Sequence, residues 1–530
     1  MLEQQAGSIV YCGTAAPASG TASGGGLAPQ AISNRKIVKS GTTYSLTWTD
    51  PADTTVNGQV LCAWGGTKIV RKEGSFPQSP TDGVVVLDNK VRNQYALEPF
   101  VDTVDDADKV YKYRAFPYSV NGVYGMQTQN MFDRWVFTFK ELITESAPDY
   151  RITYDDDNAN YTPGHMDFTT GKFDFGDWAN CPLIAWENLR PCMVYNTDAG
   201  NDKNGTVAYY LDPNDHSKKY GSDEASDVSN PDFPGNAMVE VRRVFTKIVV
   251  DGNYIITSFS NEKLDDGYEC YQCKKADGTY ADFFYVPMFM ASLIDGKFRS
   301  LAGQTLNKSK TASQEISYAQ ANGSGWNIET WADDQYFEAL TKLIIGSTNA
   351  QAKIGEGITS GGESSLLSTG TTLDKGMMYG SNTTTVAVKA FYRENPWGSQ
   401  WRRMVGMLLV NGVWKVKMTK STVDGSTASD YNLTGEGYIT LEVATPSGTS
   451  GGYISTIEQA GKYGCFPTVM SGTESTYECD GCWFNNSITA VPQRGGSAAD
   501  GRVCGPSYLN VSLTATGAYW NISAALSYHQ

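Results

Sequence analysis

Apolar residues along this chain come in short alternating runs broken by turn-forming residues, the pattern of strands half-buried on one face. SLTWTD sets Leu46 and Trp48 between hydroxyl side chains before Asp50-Pro51 ends the run. TKIVRKE, GVVVLD and KVYKYRAFPYS follow, each bounded by Gly, Pro, Asn or Asp. In the last of these, Val110, Tyr111, Tyr113 and Phe116 predict a half-buried strand, and Asn121-Gly122 is a hairpin signal. Roughly seven strands in about ninety residues match the rhythm of a small β-sandwich, here 36–125. Ahead of it, 1–35 contains GTAAPASGTASGGGLAP, which is too poor in apolar residues to offset its ordering entropy and predicts a flexible attachment arm.

Beyond the sandwich, Phe132 to Phe139 predicts a strand within a connecting β segment, 126–180. The acidic TYDDDNANY in that segment fails as an EF-hand loop begun at Asp155. Asn160 falls where Gly is needed and Met166 where the bidentate Glu is needed, which favours a solvated acidic loop over an irregular calcium site. A new unit, 181–530, begins near Cys181. Its hairpin signals are Asn204-Gly205 before TVAYYLD, Asp251-Gly252-Asn253 inside EVRRVFTKIVVDGNYIITSFS, and Asp277-Gly278 before the buried run DFFYVPMFMASL. One helix is predicted, Trp331 to Ile345. Thr330 and Asp333 form a capping-box pattern, Tyr336, Phe337, Leu340, Leu343 and Ile344 share a face, and Gly346 ends it. After a Gly/Ser-rich loop at 355–370, Trp397, Trp401, Arg402 and Arg403 either stack on a sugar or nucleobase or pack internally.

Composition narrows the possible functions. At 530 residues several domains are expected, and 54 Gly and 31 Tyr with only 19% charged residues favour a loop-rich β protein. A net charge of -15 argues against nucleic-acid binding. No apolar run is long enough to span a bilayer, and Met1 to Gln30 lacks a signal-peptide pattern, so synthesis in a cytoplasm without export by that route is expected. Ten cysteines include two CxxC pairs, Cys270/Cys273 and Cys479/Cys482, which read either as buried thiols or as halves of one zinc site. None of the three histidines, His165, His216 and His529, sits in a recognisable catalytic context.

The stretch 476–527 stands apart. Gly, Ser, Ala and Asn surround a few aromatic and Arg residues, the makeup of an exposed binding surface, and no Lys, Glu or Met follows Glu478. No P-loop, GxSxG or HExxH motif is present.

Three resemblances follow from these residues. Trp48, the TDP turn and YKYRAFPYS resemble the fibronectin type III-like modules of bacteriophage tail proteins. YYLDPND, the 331–345 helix, ENPWGSQWRRMVG, RGGS and WNISAALS resemble a C-type lectin-type fold of the formylglycine-generating enzyme branch. The ending also resembles the variable proteins of phage diversity-generating retroelements. The resemblances imply a mainly β protein with some α, a fibronectin III-like β-sandwich followed by an α+β C-type lectin-type domain, with WNISAALS paired near TVAYYLD. In the retroelement systems adenine mutagenesis of Asn codons cannot yield Lys, Glu, Met, Gln or Trp. Trp483, Gln493, Trp520 and Gln530 would then be scaffold, with Arg494, Gly495 and Gly496 as support. The variable, ligand-binding positions would be Asp480, Phe484, Asn485, Asn486, Ser487, Thr489, Val491, Ser497, Ala498, Ala499, Asp500, Arg502, Cys504, Pro506 and Tyr508, with Phe484, Tyr508 and Arg502 as anchors. The implied function is a tail-fibre or tail-tip receptor-binding protein of a phage virion. It would be homotrimeric, attached to tail or baseplate proteins, would bind a bacterial surface protein or glycan, and would need no metal or cofactor. The alternatives are a copper-dependent oxidase, for which Cys504 lacks the second cysteine of the family spacing, and a purely structural virion protein.

Overall fold

Alternation builds the first unit directly. Thr43–Thr49 buries Tyr44, Leu46 and Trp48 on one face and pairs with Ser33–Ser40 and Phe100–Thr103 in an antiparallel sheet. A second antiparallel sheet places Trp64–Glu73 between Val84–Asn89 and Tyr111–Ser119. Leu46 and Trp48 of the first sheet share a core with Ile69, Tyr113 and Ala115 of the second. Asp50, in the turn after the Trp48 strand, takes hydrogen bonds from Trp48 Nε1 at 2.8 Å, Thr67 Oγ1 at 2.7 Å and the Asn93 amide at 2.8 Å. A computed structural model of the chain describes residues 27–56, 59–107, 109–126, 130–132, 134–154, 161–446 and 451–530. Most of the expected N-terminal arm and the acidic residues 155–160 lie outside these.

The chain divides into two compact units, 1–134 and 135–530, and both expected boundaries move. Ile32 and Phe132 belong to the core of the first unit, and the Ile32 amide donates to Asn130 Oδ1 at 2.9 Å, so this unit extends beyond 36–125 at both ends. Nor is 135–180 a connector. Val136–Leu142 and Ile152–Tyr154 join Tyr254–Ser260 and Phe245–Asp251 in one four-stranded sheet, and Trp178 is buried in the largest core. The hairpin at Asp251-Gly252-Asn253 forms as its turn residues predict.

The larger unit contains two six-stranded sheets. One runs Val207–Tyr210, Leu189–Tyr195, Gly235–Arg242, Phe283–Pro287, Leu526–Tyr528, Trp326–Ile328. The other runs Gly451–Tyr453, Gly481–Phe484, Gly505–Val511, Gln493–Gly495, Trp401–Arg403, Ile522–Ala524. The chain end therefore does not pair with TVAYYLD. Ile522–Ala524 pairs in parallel with Trp401–Arg403, and Leu526–Tyr528 lies between Phe283–Pro287 and Trp326–Ile328. Every residue from 522 to 528 is buried, as in a strand covered on both faces, whereas Val207–Tyr210 is a half-buried edge strand.

The helix Trp331–Ile345 forms with both halves of its capping box made, and Gly346 at φ 57° ends it. The structure adds a second helix, Ala312–Gln320, which opens on a capping box made by Thr311 and Gln314 and sets Ala312, Ile316 and Ala319 on one face, a stripe short and weakly apolar beside the buried Glu315.

Candidate functional site

The site region rests on a frame of buried charge. The 331–345 helix turns Asp334, Glu338 and Lys342 inward. Arg494, the Arg of RGGS, donates to Asp334 Oδ2 at 2.6 Å and to the Ser507 carbonyl at 2.9 Å, and pairs with Glu338. Arg402 joins Asp334 to Glu329, which also holds Arg393. Lys342 meets Glu141 at 3.0 Å and Glu478 at 2.8 Å, both of which Arg151 bridges from the other side. Five cations (Arg151, Lys342, Arg393, Arg402, Arg494) thus face five carboxylates (Glu141, Glu329, Asp334, Glu338, Glu478). Burial works against the Lys342 charge, but Glu141, Glu478 and Glu338 outweigh it and hold the ammonium well above the ordinary lysine range. Mutual neutralisation is what lets such a cluster sit inside a protein.

RGGS fits this frame closely. Gly495 and Gly496 have φ of 89° and 84°, and a Cβ at Gly496 would lie 2.4 Å from Cys504 Sγ. Ser497 then accepts no slack either, since its amide donates to Asp500 Oδ2 at 2.7 Å and its hydroxyl to the same oxygen at 2.5 Å. The loop that follows exposes Ala499 and Arg502.

The fifteen expected ligand-binding positions do not form one surface. Asn485, Asn486, Ser487 and Thr489 lie at the C-terminal end of Gly481–Phe484, where Asn486 Nδ2 donates to the Pro446 carbonyl at 2.7 Å and Thr489–Ala490 pairs with Leu409 and Val410. Ser497 to Pro506 lie at the start of Gly505–Val511, the opposite end of a parallel pair of strands. The seven residues of that strand put the two groups about 20 Å apart. Only Asn485, Ser487, Ala499 and Arg502 are exposed. Asp480, Phe484, Val491, Ser497, Ala498, Cys504 and Tyr508 are buried, and Asn486, Thr489, Asp500 and Pro506 are half-buried.

Two of the three expected anchors are therefore corrected, and strand parity is the reason. In Gly481–Phe484 the side chains of Cys482 and Phe484 enter a core with Leu509 and Val511. Phe484 is 6% exposed. Tyr508 lies on the opposite face at 0% exposure, against Trp401 at 4.4 Å between ring centroids. The exposed ring is Trp483, expected as scaffold, at 38%. Its indole N–H donates to the Tyr508 hydroxyl.

Trp483 and the half-buried Tyr453 share the face they present. They sit on adjacent strands, each opposite a glycine, Trp483 across from Gly451 and Tyr453 across from Gly481. A Cβ at Gly451 would come within 2.7 Å of the Trp483 ring, so the glycine lets the indole lie across the neighbouring strand. Burial, then the neighbouring Glu474 and Asp480, raise the Tyr453 phenol above its ordinary value, with Arg502 acting in the other sense. The Arg502 side chain, 60% exposed, reaches Glu356 at 3.4 Å and Glu474 at 3.8 Å. Trp483, Tyr453 and Arg502 are the candidate contact residues. The paired apolar residues flanking Trp483 in GCWF were the one sequence signal for its outward parity, and Tyr453 carried none.

Other candidates resolve into structure. Trp397 donates from its indole to the Gly355 carbonyl at 3.1 Å, and Arg403 is buried against Glu315 and the Gly517 carbonyl, so this cluster packs internally and has no free face for stacking. Trp64 is packed and Arg71 pairs with Asp102 at 2.8 Å. Cys270, Cys273, Cys479 and Cys482 are buried free thiols, and among the described residues no group of three or more His, Cys, Asp or Glu is placed to hold a metal, so the joint zinc reading fails. His165 is exposed, His216 is buried, and His529 Nε2 lies 3.0 Å from Asp333. Among known proteins, no family model matches this chain and no curated protein is similar to it in sequence.

Proposed function

We propose that this chain is a receptor-binding protein of a bacteriophage tail, adhering to a bacterial surface protein or glycan through the C-terminal part of its larger unit. On this reading the first unit is a fibronectin III-like spacer, the larger unit is a C-type lectin-type domain, and the assembled virion carries the chain as a trimer. Trimerisation would turn weak single-site contacts into useful avidity. The observation that carries the reading is the exposure of Trp483 and Arg502, with the half-buried Tyr453 beside Trp483, on an interior cross-braced by buried ion pairs such as Arg494 with Asp334 and Glu338. Rigid aromatic and Arg side chains at the surface are the usual anchors of binding interfaces, and a fixed frame lowers the entropy lost on association.

The test uses labelled full-length protein and a panel of bacterial isolates, with adhesion read by flow cytometry. Trp483→Ala combined with Arg502→Ala is expected to weaken adhesion to a bound isolate by roughly tenfold or more, while the protein still unfolds cooperatively above the assay temperature. Adhesion that survives both substitutions would remove this surface from the binding role.

A further inference from the structure

A second aromatic surface lies far along the sheet from the chain end, on the edge strand Val207–Tyr210. Tyr220 is 52% exposed, yet its ring is fixed: it stacks on Trp186 with centroids 4.2 Å apart and planes 20° apart, and its amide donates to the Tyr210 carbonyl at 2.9 Å. Trp186 meets the Tyr210 ring edge-on at 5.9 Å, and the Arg190 guanidinium lies 4.2 Å from the centre of that ring. The Tyr210 and Tyr285 hydroxyls and Arg190 all converge on Glu240, which is buried. Tyr209 is held in the same way, donating to Asp227 Oδ2 at 2.8 Å and accepting from the Asp227 amide at 2.7 Å. The exposed ring is thus backed by a preformed stack and loses little freedom on binding.

These rings border an open hollow of about 560 Å³ whose lining includes Tyr209, Tyr210, Lys219, Tyr220, Ser222 and Glu224, within the size range of small-molecule sites, about 300–1,000 Å³. Of the charged residues lining it, Lys219 pairs with Glu224 and lies 4.9 Å from the Tyr209 ring centre. Just outside the lining, Lys218 faces Asp223 at 3.2 Å and Asp215 at 4.0 Å, so the surroundings lean acidic and disfavour polyanions. Lys219, Glu224 and Ser222 offer donors and acceptors to hydroxyl groups. The 218–220 segment pairs with the C-terminal end of this strand and the residues just beyond it, through Tyr220 N to Tyr210 O at 2.9 Å, Asp212 N to Lys218 O at 3.0 Å and the Leu211–Lys219 bridge. We propose that this hollow binds a neutral saccharide, a sugar ring lying against Tyr220 with its hydroxyls meeting Lys219, Ser222 and Glu224. This site is separate from the Trp483 surface and does not depend on it.

The experiment is isothermal titration of the full-length protein with neutral oligosaccharides: maltohexaose, cellohexaose and the N-acetylglucosamine hexamer. At least one is expected to bind. Tyr220→Ala should weaken that binding roughly tenfold, Tyr220→Phe should restore it, and Trp483→Ala should leave it unchanged. Lys219→Ala provides an independent reading at the rim should Tyr220→Ala lower the unfolding midpoint. Binding of none of the three sugars, or binding indifferent to both Tyr220→Ala and Lys219→Ala, would overturn the proposal, and loss with Trp483→Ala alone would assign the sugar to the other surface.

Discussion

A lysine placed in the interior shows how far a single residue can be driven from its solution chemistry. Lys389 Nζ donates to His216 Nε2 at 2.7 Å and to the Thr372 carbonyl at 2.7 Å, while His216 Nδ1 faces the Asp212 carbonyl at 2.8 Å. Burial, opposed by Glu394 and Asp374 and aided by Lys375, lowers the ammonium to about 7 from the ordinary 10.5. Between those values the folded protein holds fewer protons at this site than the unfolded chain, so stability rises with pH across that window and the full cost of the buried charge is felt below it. Relative to Lys389→Met, the wild-type protein should therefore gain stability as pH rises from about 7, by at most roughly 1.4 kcal/mol per pH unit. Urea unfolding of both proteins at several pH values measures this, and parallel curves would show that Lys389 does not titrate in that window. The residue scale was also where the sequence was hardest to read. In GCWF the residues alternate faces whichever way the strand is set, and the codon rule of the resembled retroelement systems placed Phe484 outward and Trp483 in the scaffold although Cys482 and Phe484 share the core. One position of parity exchanged an anchor for a scaffold residue.

At the scale of elements, legibility followed local chemistry. The 331–345 helix was readable because its cap, apolar face and terminal glycine all lie within one stretch of sequence. The charged residues on that same helix were not, because their meaning depends on strands far away in the chain: Arg494 is 160 residues from Asp334. Arg494 engages three acceptors through three different nitrogens, Asp334 by Nε, Ser507 by Nη1 and Glu338 by Nη2. A lysine has one nitrogen at that position and cannot reproduce the fork. Arg494→Ala should cost about 3–5 kcal/mol by leaving Asp334 and Glu338 without their shared cation in a buried site. Arg494→Lys should recover less than half of that loss. Chemical denaturation reads both, and full recovery by Lys would mean that charge alone, without the guanidinium geometry, holds the helix against the Gln493–Gly495 and Gly505–Val511 strands.

Over the whole molecule, the mainly β character was written in the alternation, while the strand order was not. Pairings such as Trp401–Arg403 with Ile522–Ala524 close loops of more than a hundred residues, and nothing local to either segment selects its partner. The division into units was partly legible. The alternation of 36–125 located the first, but its edges escaped because Ile32 stands alone between Ala31 and Ser33 and Phe132 reads as the start of the 132–139 run, and only the folded unit brings both to one core. Among the described residues, that core draws on none beyond Phe132, and the cores of the larger unit draw on none before 135. Each unit therefore contains the apolar burial it needs, and the chain should unfold as two independent cooperative systems rather than one. Fragments 27–134 and 135–530, expressed separately, are each expected to give a cooperative thermal transition at the midpoint of one of the two transitions of the full chain. Calorimetry of the three proteins makes the comparison. A fragment that fails to fold alone, or a single transition in the full chain that neither fragment reproduces, would mean that stability is shared across the boundary at Arg134 and that the first unit is not a free-standing spacer.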